Sequence, residues 1–207
     1  MLLLIVLVAA SPRLSPKSPL AVGELVPAFG PLRPQTGAWV EYLVRSPGEE
    51  DVRLRIAVLP PALADGRAWI EVATLGSQSL PVAARVLVNT ATGTLERALV
   101  YALGQAPIEV PVEAPQATTP LARHQDGVVR AGAKTIRVPA GTFAAAEGRV
   151  SKDRTVTRVW RTDEVPLWGL VRAESRHQTV ELLRYGHAGA RIVFPPLQGN
   201  GSESAND

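Results

Sequence analysis

From Gly37 to Phe194 the chain alternates apolar and polar residues with a period of two, not 3.6. Val52, Leu54, Ile56 and Val58 are interleaved with Arg53, Arg55 and Ala57. Successive side chains on a strand point to opposite faces, so this pattern gives one apolar face and one wet face. Val40, Tyr42 and Val44 repeat it, as do Ile70 with Val72, and Val82, Ala84, Val86 and Val88. Further alternating runs fall at 95–103, 108–112, 134–138, 143–150, 155–162, 169–175, 179–185 and 190–194. That makes about twelve short strands separated by turn signals. Ser46-Pro47-Gly48, Ala64-Asp65-Gly66, Thr92-Gly93 and Pro139-Ala140-Gly141 sit between runs, where hairpin connections belong. The longest connection, 114–130, contains Pro115 and Pro120 and has room for a short helix or a lid-like loop.

These signals predict an all-β fold. It is a curved antiparallel sheet or open half-barrel of about ten to twelve strands, with at most one or two short helices. A chain of 207 residues with 46% hydrophobic content buries a single core and is not a disordered polymer. No fixed-period repeat is visible, which argues against a propeller or solenoid.

The ends differ from the middle. Residues 1–10 carry the apolar run LLLIVLVAA, too short to span a bilayer and suited to the core of a secretory signal. Ala9-Ala10 offers a cleavage site, although no Lys or Arg precedes the run. Residues 11–36 hold Pro12, Pro16, Pro19, Pro27, Pro31 and Pro34, a density that blocks both ladder donors and helix interiors. They read as a linker or an extended strap. Residues 37–197 form the sheet domain, and the polar, glycine-rich residues 198–207 read as a disordered tail. The expected location is periplasmic or extracellular, with no transmembrane span.

Chemistry is sparse. With no cysteine, disulfides, thiolate metal sites and cysteine nucleophiles are excluded. His124, His177 and His187 lack the spacing of a zinc site, and no G-x-S-x-G elbow, Walker loop or dinucleotide fingerprint occurs. Carboxylates such as Glu109, Glu113, Asp163, Glu164, Glu174 and Glu181 fall on alternating strands or turns, where solvated strand charges are the simplest reading. No catalytic residue, metal ligand or cofactor is expected. The net charge of +3 comes from arginines spread along the strands among acids, not from a basic block, so nucleic acid is not an expected partner. The remaining candidates are aromatic. Trp39, Trp69, Trp160 and Trp168 are normally packing anchors. They would line a ligand only if the strands brought Trp39, Trp69 and Trp160 into one stripe on the second face.

Two segments carry a family resemblance. Val138-Pro139-Ala140-Gly141-Thr142-Phe143 is followed by Arg158-Val159-Trp160, by the VPLWGLVR run ending at Arg172, and by Leu182-Leu183-Arg184-Tyr185-Gly186. Gly37, Trp39, Glu41 and Tyr42 open the domain as G-x-W-x-E-Y. This order resembles uncharacterised secreted or periplasmic bacterial β-sheet proteins, which are similar in shape to LolA/LolB-like lipoprotein carriers. The resemblance implies an incomplete barrel with an apolar inner face that binds a lipid, a lipoprotein or another apolar ligand without catalysis. It supplies no catalytic residue, and the lipid-anchor cysteine common in such proteins is missing here. The alternative expectation is a structural or partner-binding envelope protein with a filled core. On that reading the partner is another envelope protein.

Overall fold

The computed structural model describes residues 32–60, 66–75, 82–91, 94–102, 106–112, 131–152 and 155–193. It forms one sheet of eleven antiparallel strands. They are β1 (Trp39–Arg45), β2 (Val52–Leu59), β3 (Arg67–Leu75), β4 (Val82–Asn89), β5 (Leu95–Ala102) and β6 (Ile108–Val110), then β7 (Ala131–Val138), β8 (Gly141–Lys152), β9 (Thr155–Arg161), β10 (Leu170–Glu174) and β11 (Thr179–Gly186). No helix occurs among the described residues. The order across the sheet is β6-β5-β4-β3-β2-β1-β11-β10-β9-β8-β7. Two meanders therefore meet at a single non-sequential pairing, β1 with β11. The sheet does not close on itself, because β6 and β7 are its two edges.

The alternation read from the sequence becomes two distinct faces. Cross-strand register places Tyr185, Val40, Ile56, Val72, Ala84, Val100 and Ile108 in one inner row. Val58, Ile70, Val86, Ala98 and Val110 form a second row beside it. Val40, Leu54, Ile56, Val58, Ile70 and Val86 are buried in the main core cluster. Each such side chain contributes about 1.5–3 kcal/mol of hydrophobic stabilisation.

The half of the sheet formed by β7–β11 curls over and fills its own interior. The hairpin Val138–Gly141 turns through Pro139 and Ala140, and Pro139 holds its φ negative. The mirror-image turns usual in two-residue hairpins need positive φ at the first loop position, so they are excluded here. Gly141, at φ +139°, absorbs the mismatch. The turn then reaches back across the sheet, where the Ala140 N–H donates to the Leu182 carbonyl at 3.1 Å. Phe143 lies 6.0 Å from the Tyr185 ring. Below them, the β9–β10 loop turns inward. Val165 and Leu167 are buried, and Leu167 adopts φ +65° although it is not glycine. Gly169, at φ +70°, is pressed against the Thr162 carbonyl, where a Cβ would sit 2.5 Å away.

Tyr42 ties the curled half together. It is fully buried, and its hydroxyl donates to the Leu170 carbonyl at 3.2 Å, bridging β1 to β10 past β11. Burial pushes its phenol well above the usual range, and the nearby Arg161 guanidinium opposes this. Burial also lowers Arg161.

The stretch Ala190–Val193, expected as a strand, is irregular in the structure. Gly189 at φ +78° turns the chain off β11. The segment then crosses the outer face, with the Ala190 N–H on the Gly37 carbonyl at 2.8 Å. The strap expected at 11–36 is described only from Leu32. There the Arg33 N–H donates to the Leu167 carbonyl at 2.7 Å, and Arg33 pairs with Asp163 at 2.5 Å. Residues 1–31, 113–130 and 194–207 lie outside the described residues, including His124 and the signal-like run.

Replacing Tyr42 with Phe leaves the Leu170 carbonyl buried without that donor. It is expected to cost about 1–2 kcal/mol in urea denaturation. The folded state favours the neutral phenol, so Tyr42 contributes stability below its unfolded pKa of about 10 that is lost as pH rises further. Stability measured from pH 8 to 11 should fall at the alkaline end, and less steeply in Tyr42→Phe.

Candidate functional site

The inner face is the part of the molecule with the chemistry to hold something apolar. Its rows are buried from β1 to β4 except at the partly buried Val72, and come to the surface at β5 and β6. Ala98 and Val100 are partly exposed, Ile108 is 61% exposed and Val110 is 41% exposed. The open rim is therefore continuous with the core and carries no charge on its inner side.

The edge beside this rim is built differently. β6 is three residues long and is bracketed by Pro107 and Pro111. Proline removes the ladder donor on each side, so an added strand finds little to pair with. A bidentate ion pair, Arg97 to Glu109 at 3.0 Å through both nitrogens, pins β6 to β5. That guanidinium holds the Glu109 carboxyl below its usual range. The accessible feature is thus the face, not the edge.

Three of the four tryptophans lie on the outer face. Trp39 and Trp69 flank β2, opposite Ala57 and Leu59 respectively. Trp39 donates its indole N–H to the Ala188 carbonyl at 3.2 Å, and Arg55 sits over its ring at 5.2 Å. Its partner across the ladder is Gly186, where a Cβ would lie 2.5 Å from the indole nitrogen. Trp160 is on the same face of β9, paired with Arg172, and is separated from Trp39 by β10 and β11. It is buried beneath Arg158 and Arg172, whose guanidiniums lie 5.5 and 5.8 Å from its ring. Trp168 is partly buried in the β9–β10 loop and packs against the core. The strands do not line the tryptophans into one stripe, and none reaches the β5–β6 rim.

What separates the tryptophans is a lattice of ions. Fully buried Glu41 accepts from Arg184 at 2.6 Å, with Arg53 at 3.9 Å. Glu71, also buried, accepts from Arg85 at 2.9 Å through one oxygen and from the Val193 N–H at 2.8 Å through the other. Arg85 in turn lies 4.2 Å over the Tyr101 ring. Ala73, Ala83 and Tyr101 form a small second cluster on this face, and Val193 packs on it. A carboxylate inside an apolar sheet face is costly unless paired, so Glu71 needs both partners. Alternation showed acids and arginines on this face, but which acid met which arginine depended on register.

Of the histidines, His177 and His187 are exposed at the ends of β10 and β11. His187 Nε2 lies 3.1 Å from the Glu164 carbonyl. Among the described residues no group of three or more His, Cys, Asp or Glu could hold a metal ion, and no helix is long and apolar enough to cross a membrane. One open recess of about 380 Å³ lies at the far end of the outer face, lined by Arg149, Val156, Arg158, Glu174, Ser175, Arg176 and Thr179. Nothing in the alternation pattern points to it, because its arginines come from separate strands and a turn that only register brings together.

No family model and no curated relative matches the chain. Several solved structures, three of them with TM-scores below 0.5, align with the chain at low identity. MucB in its complex with MucA(peri) aligns over 81% of this chain at 9% identity and a TM-score of 0.46. This chain spans only 54% of that one, about half its length. A candidate lipoprotein from Parabacteroides distasonis aligns over 76% of this chain and 98% of its own, at 11% identity and a TM-score of 0.40. A candidate exported protein with a YmcC-like fold from Bacteroides fragilis aligns over 75% and 98%, at 11% identity and a TM-score of 0.39.

Substituting Glu71 by Gln removes the charge that Arg85 faces and weakens the anchor for Val193. The expected cost is about 3 kcal/mol, near the lower end for breaking a buried pair. Hydrogen exchange should speed up at the Val193 amide and stay unchanged in β10.

Proposed function

We propose that this protein is an exported, non-enzymatic β-sheet domain of the bacterial envelope. On this reading it holds an apolar ligand, such as a lipid acyl chain, against the inner face of its open half. The observation that carries the reading is the uncharged rim of Ala98, Val100, Ile108 and Val110. It continues the core outward and leaves Ile108 61% exposed. An apolar surface continuous with a core is a place where a ligand gains burial without displacing charge. The proline-bracketed edge favours a ligand lying on the face over a polypeptide added as a further strand. The apolar run at residues 2–10 supports export.

A second reading is favoured by one observation. The curled half is packed with its own side chains, with Phe143, Leu167 and Leu182 filling its interior. On that reading the protein is a structural or partner-binding envelope component, and the rim meets the apolar surface of another envelope protein.

Titration with a fluorescent fatty acid separates the two. The ligand reading expects saturable binding by the wild type, reduced at least about tenfold in Val100→Asp and Ile108→Asp, since burying an unpaired carboxylate costs well over 1.4 kcal/mol. A wild type that takes up no probe, or Asp variants that bind as well as it does, overturns that reading and leaves the second.

A further inference from the structure

Most arginines of the outer face are matched to acids. Arg85 has Glu71, Arg184 has Glu41, and Arg45 has Asp51 and Glu181. The end of the sheet where β8, β9, β10 and β11 present a single row is different. Register sets Arg149, Arg158, Glu174 and Thr179 side by side across the four strands. Arg149 stands directly opposite Arg158, a like-charge pair that destabilises a ladder unless something neutralises it. The acid in the row, Glu174, is already shared. Arg158 Nη2 donates to one of its oxygens at 2.7 Å, and Arg172 takes the other. Arg176 adds a third guanidinium from the turn after β10. Among the described residues Arg149 and Arg176 make no ion pair.

We propose that this recess is a binding site for a phosphate group, held by Arg149, Arg158 and Arg176. Among the described residues, three guanidiniums against one carboxylate leave an excess of positive charge that a phosphate dianion would match. The planar fork of arginine suits phosphate oxygens better than a point charge does. Arg158 is held in advance by Glu174 and by the Trp160 ring at 5.5 Å, so less freedom is lost on binding. Trp160 is thus a positioning residue for Arg158. The volume of about 380 Å³ exceeds that of a bare phosphate ion and leaves room for part of the group that bears it. Val156, 53% exposed on the wall, offers that group an apolar contact. The site lies on the face opposite the apolar rim and stands independently of the reading given to the rim.

Calorimetric titration of the full chain with inorganic phosphate and pyrophosphate at low salt tests the site. Both substituted side chains are exposed, so the double variant R149Q/R176Q should keep the wild-type circular dichroism. Binding by the wild type should be saturable, weaken with added salt, and fall at least about tenfold in R149Q/R176Q. R137Q, which removes an exposed arginine from β7 outside the recess, should bind as the wild type does. Flotation with phosphatidylglycerol vesicles against phosphatidylcholine vesicles then identifies the source. Flotation with phosphatidylglycerol that is lost in R149Q/R176Q points to a lipid headgroup. Phosphate binding without flotation points to a soluble phosphate ester. No saturable response to phosphate or pyrophosphate, or equal losses in R149Q/R176Q and R137Q, overturns the proposal.

Discussion

The ladder between β1 and β11 holds two otherwise separate meanders in one sheet. Every other pairing joins strands that follow one another in sequence, with short connections in most cases. Among the described strands, only β1 with β11 brings residues more than a hundred positions apart into register along a ladder, Trp39 with Gly186 and Arg45 with Thr179. Closing that contact costs chain entropy that local hairpins do not pay. It is secured from both faces. Inside, Tyr42 reaches past β11 to the Leu170 carbonyl. Outside, Arg184 and Arg45 on the two strands grip Glu41 and Glu181 on the opposite one.

The same ladder explains why the two halves differ. On one side of it, β10 is only five residues long, and the loop before it turns inward with Val165 and Leu167. The short strand leaves the Leu182 carbonyl open to the β7–β8 turn, which folds across and fills the interior. On the other side, β2 to β5 are eight or nine residues each, and their inner rows run out toward β6 without such a plug among the described residues. A filled half and an open half therefore come from one sheet by a difference in strand length and loop direction.

The outer face works by charge pairing at short range. Buried Glu41 and Glu71 would be liabilities alone. Each is stabilised by an arginine from a neighbouring strand, and Glu71 also by a main-chain N–H from the segment that crosses it. This places the C-terminal segment over Ala73, Ala83 and Tyr101, where a twelfth strand would have had no edge to join. The arginines that look like a uniform background in the sequence are thus mostly matched, while Arg149 and Arg176, which make no ion pair among the described residues, both line the recess.

The two-residue alternation and the turn residues by themselves determined the all-β class, the antiparallel connections and eleven of the strands, because side-chain period and local backbone preference act within a few residues. Val40, Ile56 and Ile70 were legible as core for the same reason. The VPAGTF turn was legible as a tight bend, with Phe143 turned inward. The pairing of β1 with β11, the packing of that turn onto Leu182, the separation of Trp160 from Trp39 and Trp69, and the meeting of Arg149, Arg158 and Arg176 were decided only by the tertiary structure. Each depends on which strands become neighbours and in what register. A one-residue shift in that register would exchange the faces without changing any local signal.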